Sequence, residues 1–211
     1  MKSMIHLLFA ALLALAATHA GAETPPDQLV KNTSSEVLEI VKNDKDIQAG
    51  NMSRITELAE EKILPHFDFE RMSRMVLGKN WNKASNDQKD RFISEFRTLL
   101  IRTYASALAK YRNQTIDYKP LRADAGATDV TVKTQIIQPN GPALPVDYSL
   151  IKNGDAWKVY DISIENVSLV TNYRGQFSSE VRQSGLDGLI QRLAEKNKQS
   201  GAAGSDSKKQ G

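Results

Sequence analysis

Between residues 25 and 113 the apolar positions recur at steps of three and four, the spacing that aligns side chains on one face of an α-helix. Leu29, Val30, Thr33, Val37, Ile40 and Val41 share one such face, with Asp27 placed to cap it. A second helix, opened by Asn51 or Ser53, carries Ile55, Leu58, Ala59 and Ile63 and stops at Pro65. A third begins at Asp68, sets Phe69, Met72, Met75 and Val76 on one side and ends at Gly78. Ser85-Asn86-Asp87-Gln88 is a capping box. Phe92, Phe96, Leu99, Leu100, Tyr104, Leu108 and Tyr111 follow it and predict a helix of about 25 residues. Ile93, Ile101 and Ala105 widen its apolar stripe, as expected of a helix covered by other helices on one side and a sheet on the other.

After Asn113 the period changes to two. Ile116 and Tyr118 start a first strand ending near Pro120; Val130, Val132, Thr134 and Ile136 form a second; Val146, Tyr148 and Leu150 form a third. Pro139, Pro142 and Pro145 confine the link before the third strand to a turn or an edge. Asn153-Gly154 predicts a tight hairpin. In the fourth strand Trp157 and Val159 occupy odd positions, but Ile162 and Ile164 occupy even ones. A bulge near Tyr160-Asp161, or burial of both faces, reconciles the two phases. Helical spacing then returns with Tyr173, Phe177 and Val181, and with Leu186, Leu189, Ile190 and Leu193. The pattern is that of an α+β fold: a curved antiparallel sheet of about four strands with helices packed on its concave face, plus an N-terminal helical subdomain. Its parts run over about 25–113 (helical), 114–167 (sheet) and 170–197 (C-terminal helices), within one domain over 23–197.

The first 22 residues change the cellular context. Lys2 precedes an uncharged run from Ile5 to Ala17, and Ala20-Gly21-Ala22 supplies an A-x-A site, so residues 1–22 read as a cleaved secretory signal. The run is too short to span a bilayer, which takes about 20 apolar residues. With no Cys to lipidate or oxidise, the expected product is a soluble periplasmic or secreted protein with neither lipid anchor nor disulfide. Of the three histidines, only His66 survives cleavage, which argues against a zinc site or an imidazole-based triad. The net charge of +3 is likewise misleading: residues 23–195 hold 23 bases and 24 acids, and the excess sits in a Gly/Ser/Ala/Lys-rich tail. That tail, 198–211, is expected to be disordered, and the near-neutral fold lacks the basic field of a nucleic-acid binder.

Two blocks resemble a known family. Leu77-Gly78-Lys79-Asn80-Trp81-Asn82-Lys83-Ala84-Ser85, running into Gln88, Phe92, Phe96, Leu99, Leu100 and Thr103-Tyr104, is similar to the long-helix region of the MlaC family. Val146 to Leu150 and Trp157 to Ile162 continue the likeness into Val167-Ser168-Leu169-Val170-Thr171-Asn172-Tyr173-Arg174-Gly175-Gln176-Phe177, the most specific run, and Gly185-Leu186-Asp187-Gly188-Leu189 also fits. Asn166 departs from the family's usual Gly, but Asn tolerates positive φ well enough to keep the turn. The resemblance implies a nuclear-transport-factor-like cone holding lipid acyl chains. It also implies a periplasmic phospholipid carrier, of the toluene-tolerance auxiliary type, working between an outer-membrane lipoprotein–porin complex and an inner-membrane ABC transporter of the Mla system. Such a carrier maintains outer-membrane lipid asymmetry, needs no cofactor and is not an enzyme. In keeping with this, the chain has no G-x-x-x-x-G-K-[ST] loop. A monomer with no nucleic-acid partner is expected.

The physics of such a task is demanding. Exposing two chains of about 15 methylenes to water costs up to ~24 kcal/mol at ~0.8 kcal/mol each. A carrier must therefore bury the chains and leave the head group wet. The candidate lipid-facing residues are Val76, Phe96, Leu100, Tyr104, Leu108, Val132, Val146, Tyr148, Leu150, Val159, Ile162, Ile164, Leu169 and Tyr173, although position by position core packing is the commoner role of such residues, Phe96 above all. Arg174 is a candidate for the head group or for an ion pair with Asp161 or Glu165, and Lys89, Arg97, Arg102 and Lys110 are candidate docking cations on the exposed side of the long helix. Two other classes stay open. One is an isomerase on the same cone, with Asp161 as base and Tyr104 or Tyr148 as oxyanion donor; the other is a filled-core adaptor.

Overall fold

The computed structural model describes residues 23–110, 114–139 and 141–206. The signal segment lies outside them. Helix α1 (Pro26–Asn43) starts at a proline-fixed turn after Pro25, which offers no side-chain cap, so Asp27 sits inside the first turn and not before it. Asp44 turns the chain into the short α2 (Lys45–Gln48) by accepting from the Asp46 and Ile47 amides. Asn51, not Ser53, caps α3 (Met52–Leu58) through the Ser53 and Arg54 amides. A wide turn over Ala59–Ile63 and a tight one over Leu64–His66 then lead to Asp68, which caps α4 (Phe69–Leu77) as its position predicted. The capping box forms in full at the start of α5 (Asn86–Ala109): the Gln88 amide donates to Ser85 Oγ at 3.1 Å and the Ser85 amide to Gln88 Oε1 at 3.0 Å.

Five antiparallel strands follow in chain order: β1 (Thr115–Tyr118), β2 (Asp129–Ile137), β3 (Leu144–Asn153), β4 (Ala156–Ile164) and β5 (Val167–Ser168). The two-residue β5 adds one strand to the expected sheet; its length falls below what a two-residue period can signal. β3 starts one residue before Pro145, whose carbonyl accepts from the Glu165 amide. Gly154, at φ 61, opens the tight β3–β4 hairpin. Opposite Ser149 and Leu150, β4 presents Asp161 and Val159, so Tyr160 is an extra, unpaired residue. That is the bulge predicted from the change of phase.

Helix α6 (Leu169–Asp206) is broken at Gly185, where φ is 73 and ψ 177. No side chain tolerates that backbone cheaply, so glycine divides the element into two helices. Glu165 and Asn166 also take positive φ, 52 and 65, and keep the turn into β5 despite the Asn. The second half of α6 runs as helix to Asp206, beyond Lys198, where composition predicts disorder; Gln199, Ala202 and Ala203 are good helix formers that extend a helix already packed. Residues 207–211 of that tail lie outside the described residues.

Three apolar clusters fill the fold. One joins α4, α5 and α6 around Phe92 and Phe96, both fully buried, with Tyr173 at 5.3 Å and Phe177 at 5.8 Å from the Phe96 ring. Burying each such ring contributes about 1.5–3 kcal/mol. A second cluster holds α1, α2 and α3 against Ala105 and Leu108 of α5 and constitutes the N-terminal helical subdomain. The third lies between α1 and the sheet, where Val30 meets Val130, Val132, Leu150, Trp157 and Val159.

Candidate functional site

Strand register puts every second residue of the sheet on one face, and cross-strand partners share that face. Its rows run Val130, Leu150, Val159; then Val132, Tyr148, Ile162; then Tyr118, Thr134, Val146, Ile164, Val167; then Ile116, Ile136, Leu144. The opposite face carries Thr131, Lys133, Gln135, Asp147, Ser149 and Ser163, and is polar. The bulge at Tyr160 makes this possible: without it Ile162 and Ile164 would point to the polar side.

Burial is graded along the apolar face. The first row is closed, with Leu150 at 0 % exposure under α1 and Phe67. In the second row Val132 is buried, but Tyr148 and Ile162 keep accessible surface. In the third, Thr134 and Val146 are buried, Tyr118 and Ile164 are half-buried and Val167 is 55 % exposed, and in the last row Ile116, Ile136 and Leu144 are all half-buried. The face thus has a closed end and an open, apolar end.

Seven of the candidate residues, Val132, Val146, Tyr148, Leu150, Val159, Ile162 and Ile164, come together on this face. Leu100, Tyr104, Leu169 and Tyr173 belong to the helical cluster against which Ile162 and Ile164 pack, and so border it from α5 and α6. Val76 and Phe96 sit in that cluster at 1 % and 0 % exposure as helix–helix core. Leu108 points into the subdomain formed by α1, α2 and α3, away from the others; its helical spacing with Tyr104 could not reveal that the two meet different neighbours. Ile116, Tyr118 and Ile136 were legible as strand residues and Leu144, among its prolines, was not; none was legible as a member of one face, because register is set by pairing between strands.

Burial pushes the Tyr104 and Tyr173 hydroxyls above the ordinary phenol range, and drives Tyr148 up to about 12, with Tyr118 adding to the effect. All three stay neutral phenols, donors rather than charged groups.

Asp161 is buried and fully occupied: Ser168 Oγ donates to Oδ2 at 2.5 Å and the Val170 amide to Oδ1 at 3.1 Å. It fastens the start of α6 to β4. Both oxygens accept from the residues that begin α6, and no ion pair joins Asp161 to Arg174. Arg174 is exposed, and its guanidinium passes so close to Gly78 that a Cβ there would stand 3.4 Å from Nη2. Two of the proposed docking cations are less free than their helix position suggests. Arg97 lies 5.1 Å from the Phe69 ring, and Arg97 Nε and Arg102 Nη1 are buried; Lys110 is exposed. Their long stems cover apolar surface, which helical spacing alone does not disclose.

His66 lies in the turn before α4, where burial first and Lys158 second hold its imidazole below the ordinary range. Among the described residues no group of three or more His, Cys, Asp or Glu could hold a metal, and no helix is long and apolar enough to cross a membrane.

Comparison with known proteins agrees with this geometry. The chain is 29% identical over 189 residues to the Toluene tolerance protein ttg2D of Pseudomonas putida, covering 87% of each chain. It is 28% identical over 182 residues to the Intermembrane phospholipid transport system binding protein MlaC of Haemophilus influenzae, covering 82% of each. A phospholipid-binding protein from Ralstonia solanacearum, solved in complex with a phospholipid, superposes with a TM-score of 0.79 at 39% identity over 83% of this chain and 98% of that one. The family model for MlaC proteins matches residues 31–195, most of the chain from α1 to the second half of α6, and the chain belongs to the MlaC family.

Proposed function

We propose that this protein is a periplasmic phospholipid carrier that takes lipid acyl chains between the apolar sheet face and helices α5 and α6. The observation that carries the reading is the graded face, closed at Leu150 and open at Ile164, Val167 and Leu144, on a chain of the MlaC family. A solvated polar convex side and an apolar interior suit a molecule that crosses water with its cargo hidden. The Haemophilus relative is named as the binding protein of an intermembrane phospholipid transport system, and the Ralstonia protein holds a phospholipid. By extension this chain exchanges lipid with an outer-membrane lipoprotein–porin complex and an inner-membrane ABC transporter, and so supports outer-membrane lipid asymmetry. It does so as a monomer without catalysis.

The clefts of 310, 470 and 550 Å³ at the surface are lined in part by charged residues such as Arg97, Asp187 and Glu39, and none includes Tyr148, Val146 or Ile164. In the carrier reading, loading moves the helices off the sheet. The graded burial supports an opening that begins at the Leu144 end, where least packing must be broken.

Native mass spectrometry of the mature protein tests the reading. The expected result is a bound mass equal to diacyl phospholipid with mixed head groups, since only the chains need burial. Protein that is fully folded and free of lipid after expression in a host with ordinary phospholipids would refute it. A single head group would instead refute chain-dominated recognition.

A further inference from the structure

The apolar face carries a few polar groups, of which the Thr134 hydroxyl is spent on the Val146 carbonyl. Ser34 of α1 donates to the Val30 carbonyl at 2.5 Å and lies 2.7 Å from the Tyr118 hydroxyl. A serine has a single hydrogen, and this one is committed to its own helix, so Tyr118 is the donor in the pair. Tyr118 has no hydrogen left for a ligand. Tyr148, near enough to Tyr118 for the two hydroxyls to interact, differs. Among the described residues its hydroxyl has no hydrogen-bond partner, and the residue as a whole is half-buried. The ring packs on the cluster of Val130, Val132, Leu150 and Trp157, at the boundary between the closed row and the open ones.

An interior phenol whose O–H has no partner among the described residues is an unmet donor. Phospholipid chains offer it no acceptor along their length, whereas the ester carbonyls provide one. We propose that Tyr148 donates a hydrogen bond to an acyl-ester carbonyl of the bound phospholipid and thereby fixes how far the lipid enters. This rests on the carrier reading above and deepens it. One donor on an apolar face sets register without selecting a head group, and it distinguishes ester-linked from ether-linked lipid, which has the same chains and no carbonyl.

The test compares binding of a diester phosphatidylcholine and its diether analogue, with identical chains and head group, to the full mature protein. Wild type should prefer the diester by about tenfold, the size of one neutral hydrogen bond. Tyr148→Phe keeps the ring and should lower diester affinity to that of the diether, leaving diether affinity unchanged. Tyr118→Phe, whose hydrogen serves Ser34, should retain the preference. Equal binding of the two lipids by wild type, or equal weakening of both by Tyr148→Phe, would overturn the assignment, the second outcome reducing Tyr148 to a packing residue. Failure of wild type to bind either lipid would overturn the carrier reading, and the assignment with it.

Discussion

Leu150 and Ile164 lie on the same sheet face two rows apart, yet they have different surroundings and should answer mutation differently. Leu150 is wholly enclosed, so Leu150→Ala should cost about 2–5 kcal/mol by leaving a hole that its neighbours only partly fill. Ile164 retains exposure, so Ile164→Ala should cost less stability but remove apolar surface from the lipid. Denaturant melts and lipid analysis on both variants check this. A lipid load that survives Ile164→Ala undiminished, with stability lost, would make Ile164 plain core. Asp at these positions separates the same roles more sharply. Ile164→Asp puts an unpaired carboxylate on the half-buried part of the face and should empty the protein while it still folds; Val146→Asp and Leu150→Asp, both at buried positions, should unfold it.

At the scale of elements, what could be read from the sequence was what is local. The Ser85 capping box, the Asn51 and Asp68 caps, the hairpin at Gly154 and the bulge at Tyr160 each depend on residues within a few positions of one another. The turn over Ala59–Ile63, the tiny β5 and the direction of Leu108 depend on what packs across the chain, and no periodicity encodes that. The break in α6 lay between, since its Gly185 was visible but its left-handed backbone was not. Just beyond that break, Asp187 accepts from Gln88 and Arg91 and so ties the second half of α6 to the start of α5. Arg91 first, and Gln88 second, hold its carboxyl below the ordinary range. A carboxylate held low stabilises the fold above the unfolded-state value of about 3.9 and ceases to do so as pH falls through its folded value. Asp187→Asn should thus lower the melting temperature near neutral pH and have little effect in strong acid. An equal loss at both would trace the effect to geometry alone.

At the scale of the whole molecule, the last anchored position among the described residues is Asn197, whose side-chain amide donates to the Glu95 carbonyl at 3.0 Å and to its carboxylate at 2.7 Å. Lys198 and Gln199 beyond it are exposed. Deleting 199–211 should therefore change stability by no more than about 0.5 kcal/mol, whereas a chain ending before Asn197 should melt measurably lower; thermal scans of the two truncations decide it. Charge tests of docking belong at Lys110 rather than at Arg97, where reversal would disturb the contact with Phe69. Loss of lipid transfer in Lys110→Glu, with loading intact, would assign that end of α5 to a partner. The bulge at Tyr160 has a broader bearing. It divides β4 into two segments whose in–out alternation is set independently, one serving the anchor under α1 and the other the mouth. In the carrier reading, Ile162 and Ile164 can drift in size to suit a host's lipids while Trp157, Val159 and Asp161 keep the fold standing, so cargo preference and foldability can evolve along one strand with little interference.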